Sequence, residues 1–307
     1  MRKIRFRSIL VLVAALSLVA AACGGDDDTT DTAGGDTGGD TTAGACADAD
    51  TAAGDLLAQV CSEGVIRVST DPASPPQSSL DPETGEYVGF DIDVATEIAE
   101  RLGVAIEWET PKWEAITAGN WQGRWDMSVG SMTVTAERTE VLDFTPAYYF
   151  TPASIAVPEG SDITSTDGLS GKTVGVCSGC TYDFFLQGTL DIPGFEFPAP
   201  PAGISIKGFD TDSTVFQALE SGQVDAVMSA TPTIESAIEK GRSMQLLGDP
   251  LYSEPLSVAF DKSSELDQTS LVEAVSGIVE EMHGDGTLSD LSMEWYGEDI
   301  TIDPSAG

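Results

Sequence analysis

The first candidate for binding chemistry is an arginine that follows a short run of hydroxyl residues. Ser131 and Thr133 precede Thr135, which can cap a helix whose first turn contains Arg138. A guanidinium in that position can hold a carboxylate through two parallel hydrogen bonds, while the hydroxyls and nearby backbone N–H groups supply further donors. The residues alone favour a plainer interpretation, in which Arg138 forms a surface ion pair with an acidic neighbour. Those neighbours are Glu137, Glu140 and Asp143.

A second candidate is the segment from Ser178 to Thr181, which separates a predicted strand from a predicted helix. Backbone N–H groups at the start of a helix suit an anion. Cys177 and Cys180 also permit a redox interpretation, because a strand, a C-x-x-C motif and a helix form the thioredoxin arrangement. A lone C-x-x-C motif is a weak signal for that chemistry.

The remaining candidate side chains give little sign of catalysis. Trp113 can stack on an apolar or cationic group, although a place in the core explains it nearly as well. We assign Trp121 and Trp125 to packing. One histidine, His283, and cysteines that are expected to pair leave few metal ligands. We therefore expect no metal, no cofactor and, since no acid–base pair is evident, no enzyme activity.

These residues must be positioned by an alternating series of strands and helices that begins at Val65. Apolar residues recur at helical spacing in some segments, and short β-branched runs separate them. Ser270 and Glu273 can form a capping box for a late helix, and Asp212 can cap an earlier one. The pattern predicts strands over 65–69, 125–129, 173–177, 224–228 and 256–260, with helices over 91–102, 113–119, 181–186 and 213–220.

The two halves of the chain repeat one arrangement. Each contains a helix, a glycine and a short strand that begins around an aspartate, Asp126 or Asp225. Two α/β lobes with largely parallel sheets are implied. The chain crosses between them near 148–152 and 250–255, which creates a hinge and a cleft where a ligand can bind. We predict lobe 1 over residues 55–150 plus 251–300 and lobe 2 over 151–250.

The N-terminus predicts export and anchoring. Four basic residues, an apolar run and small residues make an export signal over 1–22, and the run is too short to favour a membrane-spanning helix. Cys23 follows at once, and the segment resembles a bacterial lipobox, which implies a lipid anchor. Residues 23–54 are rich in Gly, Asp, Thr and Ala, so we predict an acidic, flexible tether.

The net charge limits which partners the protein can bind, and the cysteines indicate which covalent bonds it can form. The formal net charge of −37 argues against nucleic acid or an anionic membrane surface as a partner. The strong acidity fits either a saline habitat or ordinary solubility and does not identify the ligand. An exported compartment permits disulfides. The natural pairing is Cys46 with Cys61 and Cys177 with Cys180, although spacing does not establish it.

The segment Gly89-Phe90-Asp91-Ile92-Asp93-Val94-Ala95-Thr96-Glu97-Ile98-Ala99 resembles the signature of family-3 bacterial extracellular solute-binding proteins, which serve uptake of polar amino acids and opines. Its two acids lie beside the positive end of a helix, so we interpret the motif as structural rather than ligand-binding. Segments 143–149 and 282–288 agree, and the similarity covers about 65–297. The resemblance implies a type II periplasmic-binding-protein fold, with two α/β lobes joined by a two-crossing hinge.

The resemblance also implies a ligand site. Segment 130–138 resembles the carboxylate-binding segment of the family. The resemblance implies that the loop before Thr181 closes over the same carboxylate and that Trp113 contacts the side chain of the ligand. Ser74 stands where an aromatic is common, and Ala230 where amino-acid binders usually carry an aspartate for the α-ammonium. Asp71 can take that role; otherwise the ligand lacks an α-amine. The expected ligand-binding residues are Asp71, Ser74, Trp113, Gly130, Ser131, Thr133, Arg138, Ser178, Cys180, Thr181 and Ala230.

The resulting expectation is an extracytoplasmic solute-binding subunit of an ABC importer. It captures a small carboxylate-bearing solute, an amino acid, and works with a transporter permease. We expect a monomer, lipid-anchored at the outer face of the cell membrane or in the periplasm. The alternatives are a subunit for a non-amino organic acid, a binding protein for a separate sensor and, less favoured, an enzyme like cyclohexadienyl dehydratase, which shares the fold.

Overall fold

The structure is a computed structural model that describes residues 44–304. The predicted signal, Cys23 and the tether up to residue 43 lie outside the described residues. Within the predicted tether, Ala45–Asp48 forms a helix that is joined to the body by a disulfide between Cys46 and Cys61. Residues 45–48, which lie within the span predicted as a tether, are therefore helical and linked to the folded body.

The bounds of the elements are as follows. The described strands are β1 (Val65–Ser69), β2 (Ala73–Ser74), β3 (Ser78–Leu80), β4 (Tyr87–Val88), β5 (Ala105–Glu109), β6 (Met127–Thr133), β7 (Leu142–Phe144), β8 (Tyr149–Pro158), β9 (Thr173–Cys177), β10 (Ser205–Phe209), β11 (Ala226–Ala230), β12 (Met244–Leu246) and β13 (Tyr252–Asp261). The described α-helices are α1 (Ala45–Asp48), α2 (Leu56–Glu63), α3 (Phe90–Leu102), α4 (Trp113–Thr117), α5 (Thr181–Gln187), α6 (Asp212–Glu220), α7 (Thr231–Glu239), α8 (Thr269–Asp285) and α9 (Thr287–Tyr296). Across 44–304, none of these helices has the length and apolar character needed to span a membrane.

The main sheet consists of two parallel units joined by a long antiparallel pair. Its strand order is β10-β9-β11-β8-β13-β6-β1-β5. Strand β1 pairs in parallel with β5 and β6, and β9 pairs in parallel with β10 and β11. Strands β8 and β13 run antiparallel between the units. We call β1, β5, β6 and their helices the first half, and β9, β10, β11 and their helices the second half.

The predicted repeat of the two halves is visible at two aspartates. The backbone N–H of Arg67 donates to Asp126 Oδ2 at 2.8 Å, and that of Thr173 donates to Asp225 Oδ2 at 2.8 Å. In return, each aspartate donates its own N–H to the carbonyl of Arg67 or Thr173. Each acid thus sets the start of one strand against its parallel neighbour, which explains why both precede a strand.

The hydrophobic core changes from one half to the other along β8 and β13. Tyr149 and Leu256 belong to the core of the first half. Ala153, four residues further along β8, belongs to a core of the second half. Since both long strands pass between separate cores, they are the two crossings that connect the halves.

Helix α3 is positioned by a glycine and a buried aromatic. Gly89 has φ of 140°, and a β-carbon there would collide with the carbonyl of Gln77. The close approach lets Asp91 N–H donate to that carbonyl at 2.9 Å. Phe90 is fully buried and packs on Tyr148 and Tyr149, with ring centroids 6.1 and 5.0 Å away. The first turn of α3 is therefore tied to β8.

Two predicted caps are wrong, and three strands are displaced or longer than predicted. Helix α6 is capped by Thr211 in a capping box with Thr214, which frees Asp212 for another contact. Ser270 does not cap α8; its hydroxyl donates to Asp55 at 2.8 Å.

Strands β6 and β11 begin and end further along than predicted, and β13 is longer at both ends. The bounds of these strands follow pairing with neighbouring strands rather than local composition.

Candidate functional site

A cavity lies where the two halves meet. Its walls come from the ends of β1, β6, β9 and β11, from the first turns of α4, α5 and α6, and from the crossing strands β8 and β13. All eleven residues that the sequence predicts as ligand-binding line this cavity. The fold therefore brings together side chains that are up to 159 positions apart in the chain, Asp71 and Ala230.

Arg138 is buried in this cavity rather than exposed. It is 4% exposed, and its Nη1 donates to the carbonyl of Thr133 at 2.9 Å. Within residues 44–304 its guanidinium forms no ion pair, so the surface pairing that the residues alone favoured is wrong. Burial lowers the pKa of Arg138 to about 10, opposed by the charge of Glu254. The group stays cationic at neutral pH and has donors to spare.

The segment before Arg138 differs from the predicted cap only in detail. Residues Arg138–Glu140 form a 3-10 turn whose N-cap is Glu137. The hydroxyl of Thr135 nevertheless accepts from the Arg138 N–H at 3.2 Å. Thr135 therefore fixes the backbone from which the guanidinium projects.

Trp113 and the Gly179 loop meet around Arg138. The guanidinium carbon lies 5.1 Å from the Trp113 ring centroid. The carbonyl of Gly179 accepts from Trp113 Nε1 at 3.3 Å and from Arg138 Nη2 at 3.4 Å. These bonds cross from the second half to the first. Trp113, which was predicted to stack on a ligand, thus stacks on a cation of the protein itself, Arg138. Trp113 also lines the cavity.

The loop from Ser178 to Thr181 offers fewer free donors than predicted. Ser178 N–H donates to the carbonyl of Phe209, and Gly179 N–H donates to Asp183. The carbonyl of Gly179, rather than its N–H, points toward Arg138. Cys177 and Cys180 form a disulfide, so they stiffen this loop.

Ser131 is held by a buried polar network. Its φ of 54° lies in the left-handed region, which is rare for a residue with a side chain. Its hydroxyl donates to Asp91 at 2.7 Å and lies 2.6 Å from that of Tyr149, while its N–H donates to Tyr148 at 3.2 Å. Both donors of Ser131 are thus engaged inside the protein, in contrast to the predicted role as ligand donor.

Asp91 lies in the cavity wall, although its motif was interpreted as structural. Tyr148 donates to its Oδ1 at 2.7 Å, and Asp91 is fully buried. Burial raises the pKa of Asp91 to about 6, while hydrogen bonds from Ser131 and Tyr148 oppose that shift. The acid organises the floor of the site through these partners.

Four further acids line the cavity, Asp71, Asp210, Asp212 and Glu254, and the sequence identified only one of them as a ligand residue. Asp71 was predicted; Asp212 was interpreted as a cap, and Glu254 was missed. Glu254 is 1% exposed, and its Oε2 has no hydrogen-bond partner among residues 44–304. Burial raises the pKa values of Asp71 and Glu254, and that of Asp212 to about 6. The available signal was a glutamate inside the apolar strand Tyr252–Asp261, since a buried charge there requires a partner.

The other predicted residues complete the wall without charge. Gly130 and Ser74 come from the first half, and Ala230 ends β11 in the second. A bond between Thr233 and Gln77, 3.1 Å from Oγ1 to Oε1, closes another side of the cavity. In the described part of the chain, no group of three His, Cys, Asp or Glu side chains is placed to hold a metal ion.

Comparisons with known proteins agree on one family. The model of the bacterial extracellular solute-binding proteins, family 3, matches residues 66–298. The L-cystine-binding protein TcyJ of Escherichia coli (strain K12) is 28% identical over 249 residues, which cover 80% of this chain and 88% of that protein.

Two solved structures show the same fold. An ancestral arginine-binding protein bound to arginine has a TM-score of 0.67 at 32% identity and covers 76% of this chain and 99% of its own. The ancestral amino acid-binding protein AncCDT-1, described as a precursor of cyclohexadienyl dehydratase, has a TM-score of 0.68 at 27% identity. It covers 78% of this chain and 99% of its own.

Proposed function

The chain belongs to the bacterial extracellular solute-binding proteins of family 3, and on this premise we propose that it captures an amino acid for an ABC importer. Its fold is the type II periplasmic-binding-protein fold, which it shares with amino-acid-binding proteins. The relatives named above bind cystine and arginine. The ligand is a small solute with a carboxylate, bound between the two halves.

The observation that carries this proposal is the state of Arg138. A buried guanidinium without an ion pair is costly, since removing a cation from water is repaid only by a partner. Arg138 lines the cavity between the two halves, and its guanidinium has N–H donors to spare. A carboxylate there completes a charge-assisted, two-point contact.

Closure of the halves completes the mechanism. The Gly179 carbonyl, Trp113 and Arg138 meet across the cleft, and Thr233 meets Gln77 on another side. These bonds form when the halves approach, so a ligand that touches both halves shifts the protein toward the closed state. A transporter permease would recognise that state.

The cellular setting follows from the same proposal. Residues 1–22 direct export, and Cys23 carries the lipid that holds the protein at the outer face of the membrane. We propose a monomer with no catalytic turnover, in keeping with relatives that are named as binding proteins.

Isothermal titration calorimetry with Arg138→Ala tests the site. A panel of amino acids should bind the wild-type protein, and the variant should lose about 3 kcal/mol, roughly 100-fold, on the best of them. The loss should disappear for the decarboxylated amine of the same ligand.

Arg124→Ala is the matched control. Arg124 also stacks on a tryptophan, 4.8 Å from the Trp125 ring centroid, but it is exposed and lies outside the cavity. Its replacement should leave affinity unchanged. Equal binding of carboxylates by wild type and Arg138→Ala would contradict the proposal.

A further inference from the structure

The charges that line the cavity do not balance. Arg138 is the cation of the lining, while Asp71, Asp212 and Glu254 are acids that lie there without an ion pair within residues 44–304. A ligand carboxylate on Arg138 would leave the excess of negative charge in place. A ligand that brings only a carboxylate would therefore enter an unfavourable field.

Asp212 is positioned by the second half of the protein. It is the first residue of α6, and its Oδ1 accepts from the Ser229 hydroxyl at 2.8 Å. Ser229 is fully buried at the end of β11, next to the uncharged Ala230. That hydroxyl is the sole hydrogen-bond partner of the Asp212 side chain in the described part of the chain. The carboxylate is thus held by one hydrogen bond at Oδ1, and the residue lines the cavity.

The first half places Asp71 opposite. Asp71 follows β1, and its Oδ1 accepts from the Ala73 N–H at 2.9 Å. Helix α6 contacts β2, the short strand that begins at Ala73. Burial raises the pKa of Asp212, and the negative charge of Asp71 adds to that shift, as expected for two carboxylates that line one cavity. We call Asp71 and Asp212 the acidic pair.

An acid in the first turn of a helix has an ordinary explanation, since it complements the helix dipole. That explanation predicts a lowered pKa and an outward position. Asp212 instead lines the cavity, and burial raises its pKa. Glu254 supplies an independent sign of a missing ligand group, because its buried Oε2 lacks a hydrogen-bond partner in residues 44–304.

We infer that the acidic pair binds the positively charged side-chain nitrogen of the ligand across the cleft, so that the protein selects amino acids with a net positive charge. The inference rests on the proposed function, in which Arg138 holds the carboxylate. A cation between the acidic pair removes the repulsion of the two carboxylates and draws the halves together. Asp212 is the specificity-determining residue of this contact, because it places the charge on the second half.

The test compares arginine with citrulline, which has nearly the same shape and an uncharged side chain. Calorimetry on the purified wild-type protein should show arginine bound at least about tenfold more tightly. Asp212→Asn keeps an acceptor for Ser229 and removes the charge. It should weaken arginine about tenfold or more and citrulline less than about threefold.

Asp249→Asn is the control, because Asp249 is an exposed acid that lies outside the cavity lining. Its replacement should change neither affinity. Equal binding of arginine and citrulline by wild type overturns the inference even if Asp212→Asn fails to fold. So does an equal loss of both ligands in Asp212→Asn, or the same selective loss in Asp249→Asn. Failure of the proposed function looks different, since wild type would then bind no carboxylate or would not depend on Arg138.

Discussion

Lowering the pH from 7 to 5 should stabilise the ligand-free protein, and Asp91 should supply about 1 kcal/mol of the gain. Burial raises its pKa from 3.8 to about 6, with Asp71 adding a like charge. The full shift corresponds to about 3 kcal/mol of destabilisation at neutral pH. Between pH 3.8 and 6 the folded protein holds more protons on Asp91 than the unfolded chain does. Stability contributed by this group therefore rises as the pH falls through that window.

Urea unfolding of wild type and Asp91→Asn at several pH values measures this effect. The difference in free energy of unfolding between the two proteins should change by about 1 kcal/mol between pH 7 and pH 5, whatever its absolute value. Asp285 and Asp299 have lowered pKa values, so their stabilisation is lost only at more acidic pH, below this range. The same pH slope in both proteins would refute the assignment of a raised pKa to Asp91.

Replacing Cys46 and Cys61 by serine should lower the free energy of unfolding by about 3 kcal/mol, because the bridge closes a loop across a sequence separation of 15. The pair Cys177 and Cys180, separated by 3, should cost only about half as much in the same urea titration; an equal or larger loss there would contradict the loop-length argument. Trp113→Phe removes an N–H that bonds across the cleft and should weaken ligand binding by about 1 kcal/mol, roughly fivefold, as faster dissociation. Stopped-flow fluorescence that shows an unchanged dissociation rate would exclude a role for that bond in closure.

Local pattern was sufficient for the elements that carry the site. Helix α3 has apolar residues at helical spacing and a glycine at its end, and it forms within one residue of its predicted start. Asp126 and Asp225 were predicted to start equivalent strands, and each does so through the same backbone contact. Local pattern failed at Ser270, because its hydroxyl donates a hydrogen bond to Asp55, a residue 215 positions away, instead of capping α8.

In the candidate site, too, some properties were determined by the sequence and others only by the tertiary structure. The sequence by itself determined the family, the alternation of strands and helices, and a set of eleven residues that line one cavity. The alternation follows from periodicity, whereas the family and the eleven residues follow from segments that resemble the motifs of the family. The tertiary structure decided the rest: Arg138 is buried without an ion pair within residues 44–304, Ser131 is engaged by partners inside the protein, and Asp212 and Glu254 lie in the cavity wall. The physical reason is that a charge or donor acquires its role from the partners that face it, and those partners come from the pairing of β8 with β13 and from the approach of α6 to β2.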